Sequence, residues 1–74
     1  MSKLPVISGQ TAIKAFSRAG YEVVRQKGSH IRLKHSNRKS LTIPNHRVLD
    51  RGLLKRLLKD SQLSVGDFIE LLSK

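Results

Sequence analysis

Val23-Val24-Arg25-Gln26-Lys27-Gly28-Ser29-His30-Ile31-Arg32-Leu33-Lys34-His35-Ser36-Asn37-Arg38-Lys39-Ser40-Leu41-Thr42-Ile43-Pro44-Asn45-His46-Arg47 decides how this chain is read. The stretch holds no Asp or Glu, and basic side chains recur throughout it. Polar and apolar residues alternate with the two-residue period of half-buried strands. One face of such a sheet joins a core, and the other presents cations around His30. That pattern points to a phosphate backbone as partner.

Gly28-Ser29 fits a two-residue hairpin turn with glycine at its first central position. This register sets Lys27 opposite His30 and Arg25 opposite Arg32 on one face. A three-residue turn fits the same residues equally well and would reverse the faces of the first strand, Tyr21 to Lys27. In the second strand, His30 to His35, Ile31 and Leu33 point inward while His30, Arg32 and Lys34 point outward. Ser36-Asn37-Arg38 turns the chain again. Leu41 and Ile43 of the third strand then pair with Leu33 and Ile31, and Thr42 sits across from Arg32. Pro44 has no N–H to give a ladder, so the strand ends there, at a sheet edge.

Before the sheet, Met1 to Ile7 is a short lead-in, and Ser8 is placed to N-cap a helix over 9–19. Ala12, Ala15, Phe16 and Ala19 recur at helical spacing with Ile13 beside them, and Gln10, Lys14, Ser17 and Arg18 fill the outer face. Gly20 stops that helix in a left-handed C′ conformation. After the sheet, Asp50 caps a helix with Leu53, Leu54, Leu57 and Leu58 inward and Lys55, Arg56 and Lys59 outward. Ser64-Val65-Gly66-Asp67 opens a short third helix, with Ser64 as cap and Asp67 placed to reach back in a weaker form of the capping box, and Val65, Phe68, Ile69 and Leu72 as its apolar stripe. The fold class is therefore α+β: an α-β-β-β-α order plus a short extra helix, with a three-stranded antiparallel sheet covered on one face.

Seventy-four residues make a single domain, 1–74. A chain of this size buries only about 60% of its unfolded surface, so its core is thin and open to sharing with a partner. The formal net charge is +10, from 15 Lys+Arg against 5 Asp+Glu. Such a field attracts polyanions, and its concentration on sheet favours nucleic acid over a membrane surface. Absence of cysteine excludes disulfides and thiolate metal sites. No apolar run approaches the roughly 18 residues of a membrane span. The start of the chain does not read as a signal peptide, so the expected location is the cytoplasm.

Basic strands often do no more than keep a sheet face solvated. Here no acid compensates them, and like charges on neighbouring strands repel, so a bound anion is the natural counter-charge. His30 faces outward by strand parity, next to a glycine turn and among cations. An imidazole so placed can move a proton near neutral pH. Arg25, Lys27, Arg32 and Lys34 are candidates to hold a phosphate and stabilise charge on five-coordinate phosphorus. Ser29 is either a turn residue or a donor to a phosphate oxygen. His46 lies two residues beyond Pro44, the partner of His30. It is either loop or, if the strand persists, a diagonal neighbour on the same face. His35 has the opposite parity and reads as incidental.

Other chemistries find little support. Three scattered histidines make a weak metal site, no phosphate-cradling glycine loop precedes a helix, and no paired carboxylates occur in the basic sheet. Three aromatics are too few for a base-stacking platform.

Gly20-Tyr21, Arg25-Gln26-Lys27-Gly28-Ser29-His30, Ile43-Pro44-Asn45-His46, Gly52-Leu53-Leu54 and Ser64-Val65-Gly66-Asp67-Phe68, in this order and spacing, resemble the HicA toxin family. This is the RNase half of bacterial HicBA toxin–antitoxin pairs. The resemblance implies a double-stranded-RNA-binding-like fold and ribosome-independent, metal-free and cofactor-free cleavage of mRNA. It makes His30 the catalytic residue and a HicB antitoxin the partner that occludes this face. The family usually has a bulkier polar residue where Gly66 stands, a departure at a helix start rather than at the site. The competing reading is a non-catalytic double-stranded-RNA binder. Such a module is expected to carry a lysine cluster at the start of the helix after the sheet, where this chain has Asp50-Arg51-Gly52.

Overall fold

In the computed structural model, which describes residues 4–74, the Ser8 hydroxyl accepts the Thr11 N–H and opens α1 (Gly9–Arg18). Residues 1–3 of the lead-in lie outside the described residues. α1 ends as its sequence predicts, at Ala19, followed by Gly20 with φ +102°. Three strands follow, β1 (Glu22–Lys27), β2 (His30–Lys34) and β3 (Leu41–Pro44). They form one antiparallel sheet in the order β1-β2-β3. β3 pairs Leu41 with Leu33, Thr42 with Arg32, Ile43 with Ile31 and Pro44 with His30.

The first hairpin settles on the two-residue turn. Lys27 faces His30 and Arg25 faces Arg32, with only Gly28 and Ser29 between the strands. Gly28 takes φ +59° while Ser29 does not go positive, the division of labour a turn with glycine first requires. Past Arg25 the register shifts, pairing Val23 with Leu33 and Glu22 with Lys34 and leaving Val24 as an extra residue. The reason lies in parity. Tyr21 is buried and Arg25 is exposed, yet they are four residues apart, which in an uninterrupted strand puts both on one face. A bulge between them changes the face.

Tyr21 is anchored by an edge-on contact with Phe16 at 5.8 Å and by its hydroxyl, which donates to the Lys39 carbonyl at 2.8 Å. Burial raises its pKa above the ordinary tyrosine range, the Arg38 charge acts against that, and Asp60 adds to it.

α2 (Arg51–Ser61) begins at Asp50, whose carboxylate accepts the Leu53 N–H. α3 (Val65–Leu72) begins at a complete capping box between Ser64 and Asp67. α1 packs on α3 and β3, and α2 packs on β3. Phe16, Phe68, Leu33, Leu41, Ile43 and Leu54 are the large side chains most completely enclosed. Leu71 joins the core, while Val65, Ile69 and Leu72 are only half-buried. The helices thus sit over β2 and β3. β1 differs from the half-buried strand its sequence predicts: all six of its residues are exposed, because no helix covers it.

Two arginines serve the helix ends. Arg18 donates to the carbonyls of Leu71 and Leu72, and Arg38 donates to that of Ser61. Each neutralises carbonyls that a helix terminus leaves unpaired.

α1 also reaches the far end of the sheet. The Gly9 N–H donates to the His46 carbonyl at 2.9 Å, and a side chain at Gly9 would run into the backbone of Pro44. Gly9→Ala is therefore expected to destabilise the fold by about 2 kcal/mol or more, measured by urea unfolding. Gln62, at φ 61°, is the one non-glycine with positive φ among the described residues, and it caps α2. Gln62→Gly should raise stability by about 0.5–1 kcal/mol in the same assay.

Candidate nucleic-acid interface and active site

The buried pairs Ile31–Ile43 and Leu33–Leu41 turn the alternate residues of β2 away from the helices. His30, Arg32 and Lys34 are accordingly exposed on the outer face. Arg25 and Lys27 of β1 stand across from Arg32 and His30 and are exposed as well. His30 sits between Lys27 on one neighbouring strand and Pro44 on the other. All four cations singled out in the sequence thus share one surface with the imidazole.

Charge on this face is uneven. Glu22 stands across from Lys34, so the end remote from the turn has an acid to offset its lysine. Towards the turn there is none, and Arg25 faces Arg32 directly. Arg32 leans the other way, with Nη1 3.4 Å from the Thr42 hydroxyl to which it donates. The uncompensated positive charge gathers at the His30 end. Space above Gly28 is open, with no atom other than those of its chain neighbours within 4 Å of where a side chain would begin.

Ser29 is exposed in the turn, and its carbonyl accepts the Asn45 N–H at 2.6 Å. His46 is exposed, but the strand stops at Pro44, so the ladder that would have made His46 a diagonal neighbour of His30 does not extend to it. Its place comes instead from α1, through the Gly9 hydrogen bond to its carbonyl. Among the described residues no three His, Asp or Glu side chains gather at one point.

Two residues at this end, Gln10 and Asn45, are not singled out for the site by the sequence. Gln10 Nε2 donates to the Asn45 side-chain oxygen at 3.1 Å, bridging α1 to the loop after β3 across 35 positions. Together with the Asn45–Ser29 bond, this ties the first turn of α1, the Pro44–His46 loop and the Ser29–His30 turn into one rigid corner. Glycine just inside a helix start, where a better helix former is the rule, is the only local hint of that close approach.

His35 is not incidental. Its Nε2 lies 3.1 Å from the Ala19 carbonyl, its Nδ1 accepts the Asn37 N–H at 3.0 Å, and its ring packs on Tyr21 at 4.9 Å. With one nitrogen accepting a backbone N–H and the other beside a carbonyl, the neutral tautomer protonated at Nε2 satisfies both. It holds the end of β2 to the end of α1, on the side away from His30.

Removing one of two facing cations tests the charge reading. Arg25→Thr is expected to weaken binding of single-stranded RNA and reduce the slope of log affinity against log salt by about 0.7. Fluorescence anisotropy across a salt series measures it, and stability should not fall, because a like-charge pair is relieved.

Comparison with known proteins sets this geometry in context. No curated protein sequence matches the chain. The family model described as the HicA toxin of bacterial toxin–antitoxin systems matches residues 9–63 of the 74. The match takes in α1, the whole sheet, the corner around His30 and α2. The chain belongs to the HicA toxin family.

Proposed function

We propose that this chain is the toxin of a type II pair and acts as a metal-independent endoribonuclease on mRNA, with His30 as its catalytic residue and a HicB-type antitoxin as its partner. The observation that carries the reading is an exposed imidazole at the unbalanced end of a cationic sheet face.

His30 accepts the proton of a ribose 2′-hydroxyl, and the freed oxygen attacks the adjacent phosphorus. Arg25, Lys27, Arg32 and Lys34 hold the phosphate and offset the charge that grows on it. The Ser29 hydroxyl and the His46 ring are further contacts for the RNA backbone. As the P–O5′ bond breaks, O5′ takes a proton from His46 or from water. The products are a 2′,3′-cyclic phosphate and a 5′-hydroxyl. A 2′-hydroxyl nucleophile restricts the reaction to RNA.

The rival, a module that binds double-stranded RNA without cutting it, is disfavoured by Asp50. Its carboxylate caps α2 where that module would present lysines to phosphates. Incubating the purified chain with mixed RNA in EDTA separates the two: fragments support the enzyme, and shifted but intact RNA supports the binder. His30→Ala should lower cleavage by at least about 10²–10⁴-fold, the usual contribution of a general base, with RNA affinity and unfolding midpoint preserved. Wild-type cleavage by that variant would remove His30 from the mechanism.

A further inference from the structure

β1 is one of the two edge strands of the sheet, and unlike β3 it has no helix packed on it. Among the described residues it pairs with β2 on one side and with no strand on the other. Its outward-pointing N–H and C=O groups form an open edge. Val23 lies opposite Leu33, on the face that the helices seal over β2 and β3, yet it keeps 51% of its surface exposed. Val24, the extra residue of the bulge, keeps 49%.

We propose that an acidic strand of the antitoxin adds to the free edge of β1 and covers Val23 and Val24. This rests on the toxin–antitoxin reading above and specifies where and how the partner holds the toxin.

Three physical arguments select that occupant. A strand edge alternates donors with acceptors, and only another polypeptide backbone answers both. RNA does not repeat donors and acceptors at the spacing of a strand edge, and its phosphates leave the valines uncovered. A second copy of this chain is excluded by charge: two β1 edges side by side would bring Arg25 and Lys27 of each chain together, in molecules of net charge +10. The bulge and the basic side chains that blunt an edge against its own kind leave it open to a strand bearing carboxylates.

The position also has a consequence for inhibition. Carboxylates of a strand on that edge stand next to Arg25 and Lys27, which face Arg32 and His30. The partner thereby neutralises the phosphate-holding cations beside His30 from the edge of the face they share with it.

The test titrates the full chain with a short peptide in which glutamate alternates with valine or threonine, followed by backbone amide NMR at low salt. Saturable shifts and slowed hydrogen exchange at the amides of Glu22–Lys27 are expected. The double variant V23S/V24S should bind the peptide about tenfold or more weakly, since it removes the apolar area to be covered. It should cleave RNA as the wild type does, because neither valine belongs to the catalytic face. A version of the peptide N-methylated along one edge should lose that edge's hydrogen bonds and fail to protect β1.

Absence of a saturable shift, equal binding of the methylated peptide, shifts confined to the His30 face, or dimerisation of the chain through β1 would each overturn the proposal. The nuclease reading is judged separately. A chain that cuts RNA in EDTA but leaves its β1 edge unoccupied loses only the interface. A chain whose edge takes the peptide but which cuts no RNA loses only the catalytic assignment.

Discussion

Ile31 and Leu33 pack inward between Leu41, Ile43 and the helices, and every outward position in the sheet follows from that packing. A strand alternates faces, so burying Ile31 presents His30 and Arg32, and burying Leu33 presents Arg32 and Lys34. A slip of one residue would drive two cations into a core of aliphatic and aromatic side chains and strip the sheet of its apolar cover. The energetic gap between these registers is large compared with the stability of so small a domain. The exposure of the candidate catalytic imidazole is thus a by-product of hydrophobic packing two positions wide.

The basic charge of the chain divides by task. Arg18 and Arg38 close helix ends and are committed to the fold. Lys34 has Glu22 opposite it. Arg25, Lys27 and Arg32 have no acid across the strands, and two of them face each other. A fold that tolerates this repulsion in the free state lowers its energy when an anion arrives. RNA and an acidic partner strand would both relieve the same excess, which makes them competitors through charge even if one lies on the face of the sheet and the other at its β1 edge.

The corner made by Gly9, Gln10, Asn45 and Ser29 gives the His30 end its rigidity. A hairpin tip is ordinarily the loosest part of a small sheet. Here the turn is clamped to the loop after β3 by the Asn45 amide, and that loop is clamped to α1 by Gly9 and Gln10. Catalytic geometry benefits from such fixing, because misplacement of an acid–base group by an ångström is costly in rate.

Local patterns in the sequence determined the elements and their outward faces. Gly28-Ser29 admits a two- or a three-residue turn, so the faces of β1 waited on the fold, but Ser8, Asp50 and the Ser64–Asp67 pair mark helix starts, and the alternation in Ile31–Lys34 and Leu41–Pro44 assigns sides to β2 and β3. These are decided by hydrogen bonds and steric preferences within a few residues, which is why they can be read without coordinates. Tertiary packing alone decided that α1 and α2 pack on β3, with α3 on α1, and leave β1 uncovered, that Val24 bulges so that Tyr21 can be buried while Arg25 stays outside, that His35 ties the end of β2 to α1, and that Gln10 meets Asn45. Each of these depends on where a distant segment comes to rest, and no periodicity in the chain encodes the meeting of residues that only the folded core brings together.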